Sequence, residues 1–164
     1  MSTELTPEIQ AALAPEISGN TVYVLVGNPW RGDDGAATFI AGRLRNARAD
    51  AFIIDAGNRP ENCIERIISL NPAKTVFIDA ADFGAQAGAV RLLAMHDVAR
   101  DSISTHAFPL PVLARLIEEE LGSATAMIGI QIHSACLGQG MHAAVVRAAE
   151  RLIDYLNARL DAGL

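Results

Sequence analysis

Lysine is all but missing from this chain: Lys74 stands alone beside twelve arginines in 164 residues. The 13 basic residues are outnumbered by 19 acids, giving a formal net charge of -6 at pH 7, and no basic stretch is longer than Arg43–Arg48. A nucleic-acid partner is therefore not expected. Cysteine is also scarce. Cys63 and Cys136 belong to no C-x-x-C pair, which excludes a multi-disulfide framework and a cysteine-rich zinc site by count. Free thiols in a reducing cytoplasm are the expected state. No run of eighteen apolar residues occurs, so no membrane span is expected. Residues 1–19 carry Glu4 and Glu8 but no basic cluster, and read as an N-terminal extension, not a signal or transit peptide. There is no G-x-S-x-G nucleophile elbow and no H-E-x-x-H helix, which removes the common serine hydrolases and zincins.

What the chain does have is alternation. Short β-branched runs alternate with segments of helical period, the pattern of one α/β domain spanning residues 1–164. Thr21–Val26 is a buried-type strand ended by Gly27-Asn28-Pro29. Asp33 or Asp34 can cap a helix running to about Asn46. Ala51–Ile54 forms a second strand ending at Asp55, and Arg59-Pro60-Glu61 opens a helix with Ile64, Ile67 and Ile68 on one face. Thr75–Ile78 is a third strand stopped by Asp79, and Ala89–Leu93 a fourth, at an edge. A helix follows Pro109 with Leu110, Leu113, Ile117 and Leu121 in helical register, Ala126–Gln131 is the last strand, and Val145, Ala149, Leu152, Leu156 and Leu160 stripe the last helix. The predicted fold is a five-stranded, mostly parallel sheet in a three-layer arrangement between helices.

In such a sheet ligands bind beyond the carboxyl ends of the strands. The Asp33-Asp34 loop follows strand one, Asp55 follows strand two and Asp79 ends strand three. In the common doubly wound order, strands one and three are neighbours, so Asp34 and Asp79 share a rim. His106 lies in a loop before the Pro109 helix. Two carboxylates and an imidazole suit a divalent ion such as zinc or nickel, with positions left open. They equally suit metal-free acid–base work by paired carboxylates. A non-catalytic binding or regulatory domain is the alternative. A nucleotide site lacks its fingerprint, since Gly27-x-x-x-x-Gly32 is not G-x-G-x-x-G and Gly32 precedes an acid, not a lysine. A phosphoacceptor domain needs a lysine late in the sheet, and Lys74 precedes strand three, far from Asp79.

Val26-Gly27-Asn28-x-x-x-x-Asp33-Asp34-Gly35, then Ile54-Asp55-Ala-Gly57, Ile78-Asp79-Ala-x-Asp82-Phe-Gly84, Ser104-Thr-His106 and Gly129-Ile-Gln131 resemble, in order, the blocks of the hydrogenase maturation endopeptidases. The type that processes the hydrogenase of formate hydrogenlyase is most similar, and the likeness runs from about Thr21 to Leu160. The resemblance implies a cytoplasmic protease that removes a C-terminal peptide from a nickel–iron hydrogenase large-subunit precursor after nickel insertion. It implies Asp34, Asp79 and His106 as catalytic, metal-binding residues, with Asp33 carried over less directly. Gly27, Asn28 and Asp55 are expected to shape the rim and hold substrate. The metal implied is nickel brought by the substrate, for which zinc or cadmium can substitute. Trp30-Arg31, Phe108-Pro109-Leu110-Pro111 and His133-Ser134-Ala135-Cys136 depart from the family pattern and bear on substrate choice more than on the reaction.

Overall fold

Alternate residues of Thr21–Val26 (β1) serve two different cores. Tyr23 and Leu25 pack on one face of the sheet, Val22, Val24 and Val26 on the other, and all six residues of the strand are buried. A strand apolar on both sides has to be central and covered twice. In the computed structural model, which describes residues 4–16, 20–44, 52–95 and 109–161, β1 is central. It lies between β2 (Ile53–Gly57) and β3 (Lys74–Ala81), with β5 (Ala124–Gln131) and β4 (Val90–Leu93) beyond, in the order β2-β1-β3-β5-β4. All pairings are parallel except β4 against β5, so β4 is the antiparallel edge strand. One face carries α1 (Pro7–Leu13), α2 (Ala36–Ala41) and α5 (Ala143–Asp161), the other α3 (Ile64–Leu70) and α4 (Leu110–Leu121). The stripe Val145, Ala149, Leu152, Leu156 and Leu160 is buried, as are Leu110, Leu113 and Ile117. The N-terminal stretch is part of this packing, with Leu5, Ile9 and Leu13 in the first core. No helix among the described residues is long and apolar enough to cross a membrane.

Several boundaries differ from the sequence expectation. Neither Asp33 nor Asp34 caps a helix. The chain passes through a 3-10 turn, Gly32–Gly35, before α2, and α2 stops at Gly42 and not near Asn46, because glycine in a helix costs backbone entropy. The second strand is shifted to Ile53–Gly57: a bulge between Leu25 and Val26 lets pairing with β1 run on past Asp55. Asp79 does not end β3. The ladder to β5 continues it through Asp79↔Gly129, Ala80↔Ile130 and Ala81↔Gln131, after β1 has stopped at Val26↔Asp79. On α3, Ile67 is buried but Ile68 is exposed, and the helix ends where Asn71 takes the left-handed conformation before Pro72.

Candidate active site

Gly27 explains how the acidic loop returns to the sheet. A Cβ on Gly27 would sit 2.2 Å from the carbonyl oxygen of Asp34, a distance no side chain survives. The backbone of Asp34 therefore lies directly on the strand exit, and Asn28 N–H donates to that same carbonyl at 3.0 Å. Asn28 braces the loop: its side-chain Oδ1 accepts from Trp30 N–H at 3.0 Å, and its backbone carbonyl accepts from Arg31 N–H at 3.1 Å. This folds Asp34, buried, back over the end of β1, beside the point where Asp79, also buried, pairs with Val26. The end of β1 at Val26 thus sets the Asp33-Asp34 turn and Asp79 at one edge of the sheet, where the expected strand order puts them.

Asp33 is held by the 132–142 loop. Its carboxylate is buried and accepts three backbone N–H groups: His133 and Ser134 on Oδ2 at 2.7 and 2.9 Å, and His142 on Oδ1 at 2.6 Å. Asp33 N–H donates to Ser134 O at 3.0 Å. Its oxygens hold the 132–142 loop against the 3-10 turn, and the arrangement reads as a clasp. Gly32 is needed at the same joint: its φ is +55°, and a Cβ there would meet Ser134 O at 2.8 Å. The clasp sets the rings of His133 and His142 with centroids 4.6 Å apart. No isolated sequence signal marks this pair, because only the fold brings position 133 to position 142.

The other rim residues have distinct surroundings. Asp55 is exposed on β2 and accepts Gly57 N–H at 3.2 Å. Asp82 accepts from Gln131 Nε2 at 3.0 Å and Gly84 N–H at 3.1 Å, and the Gln131 bond leads in holding its carboxyl below the ordinary range. Gln131 is buried, with its Oε1 accepting from Phe83 and Ala85 N–H, so one amide organises the 82–85 loop. His106 lies outside the described residues; the described chain resumes at Pro109, ahead of α4. Among the described residues no group of three His, Cys, Asp or Glu could hold a metal ion. Asp34 and Asp79 are hard, anionic donors of the type a divalent ion takes, but two donors leave the set incomplete and a third must close it.

The single lysine is placed as the sequence expected. Lys74 opens β3 at the amino end of the sheet, where Nζ donates to Ala14 O at 3.0 Å and Ala11 O at 3.3 Å. It cannot serve a phosphoryl group at the opposite rim.

Comparison with known proteins agrees with this fold. The family model for hydrogenase maturation proteases matches residues 41–158. The hydrogenase 3 maturation protease of Escherichia coli K12 is 35% identical over 112 residues, covering 67% of this chain and 71% of that protein. The crystal structure of the NiFe hydrogenase maturation protease HycI from Thermococcus kodakarensis KOD1 superposes with a TM-score of 0.79 at 26% identity, covering 94% of this chain and 99% of that one. The solution structure of the Escherichia coli endopeptidase HycI gives 0.73 at 30% identity, over 84% and 89% of the two chains.

Proposed function

The chain belongs to the hydrogenase maturation protease family, and from that membership we propose that it is the peptidase that trims the C-terminus of a nickel–iron hydrogenase large-subunit precursor after nickel insertion, in the cytoplasm. The observation that carries this reading is the pair of buried carboxylates, Asp34 and Asp79, where β1 stops and β3 runs on. In this reading the precursor brings nickel as part of the substrate, and Asp34, Asp79 and His106 meet it; zinc or cadmium can take the same place. The ion would polarise the scissile carbonyl or a water. Asp79 is the better candidate for the base that takes the proton from attacking water. Asp33 is left out of that role because both of its oxygens already accept backbone N–H groups. Asn28 holds the loop that carries Asp34.

The test mixes the protein with nickel-loaded and nickel-free large-subunit precursors and follows loss of C-terminal mass. Cleavage of the loaded form alone is expected; equal cleavage of both would overturn the docking of substrate nickel. His106→Ala should abolish cleavage with little change in melting temperature. A folded, active His106→Ala protein would remove that residue from the site.

A further inference from the structure

The Trp30-Arg31 and His133–Cys136 segments, about a hundred residues apart, are bound to each other. Gly138 N–H donates to Trp30 O at 2.8 Å, and Arg31 Nε to Ala135 O at 3.2 Å. With the Asp33 bonds above, six hydrogen bonds weld the two loops into one unit. That unit carries the two most exposed large apolar side chains among the described residues, Trp30 at 75% and Leu137 at 76%. An open cleft of about 300 Å³ is lined from the same two loops by Pro29, Gln139 and Met141, together with Thr38 and Phe39 of α2. We propose that Trp30, Leu137 and this cleft are the specificity surface of the enzyme, receiving an apolar side chain of the large-subunit precursor next to the bond that is cut.

The inference rests on the proposed function for the identity of the occupant, and on the fold for the location. Trp30 lies in the loop that delivers Asp34 to the rim, so a chain lying across Asp34 passes this surface. An aromatic ring on an already tethered backbone loses little entropy on docking, which is why such residues dominate interfaces. A second copy of this chain is a poorer occupant. Trp30 and Leu137 together offer on the order of 300 Å², against the roughly 800 Å² per partner of a stable interface. A transient enzyme–substrate contact needs no more.

Steady-state cleavage of nickel-loaded precursor by Trp30→Ala and Leu137→Ser reads the proposal. Each should raise KM about tenfold or more with kcat within about a factor of two, the signature of lost uniform binding, and with melting temperature unchanged. Ile68→Ala, an equally apolar truncation on exposed α3 surface, should leave KM as it was. Unchanged KM in both loop variants, or an equal rise in Ile68→Ala, would overturn the surface; if Trp30→Ala fails to fold, Leu137→Ser decides. Titration calorimetry with intact precursor separates the two layers of the argument. Wild-type binding that is weakened in the loop variants, without cleavage by any of them, supports the surface while sinking the proposed activity. A wild-type dimer that dissociates on the same substitutions would give the surface to self-association and overturn the proposal.

Discussion

Lys74 and Asp79 sit toward opposite ends of the same strand, both buried, and their surroundings differ in kind. At the amino end the cation is spent on structure. Lys74 Nζ bonds the terminal carbonyls of α1 and lies 3.9 Å from Glu16, the use a helix C-terminus makes of a cation. Burial lowers its pKa, with Glu16 acting against the shift. At the carboxyl end three acids are buried on two adjacent segments, and Asp33 accepts three backbone N–H groups. A buried charge is therefore not a functional signal in itself. What separates the ends is the sign and number of the charges: one cation meets helix carbonyls at the amino end, whereas three acids gather at the carboxyl end.

Four measurements can break or sharpen that contrast. The largest effect should come from Asp79→Asn or Asp34→Asn: precursor cleavage in single turnover should fall on the order of a hundredfold to ten-thousandfold, and near-normal rates would place the chemistry elsewhere. Next is Asp33→Ala. Losing the acceptor for three buried N–H groups should cost roughly 3 to 5 kcal/mol in urea unfolding, because it opens the clasp; a loss below 1 kcal/mol would mean the loops hold without it. Lys74→Met should cost only about 1 kcal/mol, since removing a desolvated charge offsets the orphaned α1 carbonyls. A loss as large as that of Asp33→Ala would erase the distinction drawn here. The smallest effect is the acid titration of Asp82. Its folded pKa is depressed, so its contribution to stability is present above the unfolded value of about 3.9 and is lost as pH falls through the folded value. In Gln131→Met its NMR titration midpoint should rise toward the ordinary range, and an unmoved midpoint would deny the Gln131 bond its part.

Much of this architecture is legible without coordinates. Apolar runs such as Thr21–Val26 can only be central strands, and the stripe from Val145 to Leu160 can only be a helix face on a core. Asp34 and Asp79 were readable as rim residues because strand ends in a parallel sheet share one edge. Boundaries were less so. Asp79 reads as a stop, yet β5 offers a partner past it, and pairing depends on a strand more than forty residues downstream. Asp33 and Asp34 read as interchangeable caps, and no local rule tells two adjacent aspartates apart.

Composition, spacing and periodicity determined the fold class, the strand set and the rim on which the acids stand, because hydrophobic period and turn chemistry act over a few residues. Only the tertiary structure decided what surrounds each acid there. Gly27 leaves room for the carbonyl of Asp34 at the exit of β1. The N–H groups of His133, Ser134 and His142 hold the carboxylate of Asp33. Those partners lie about a hundred positions away, and the energy of a buried carboxylate depends on the few ångströms around it, which only the folded chain supplies.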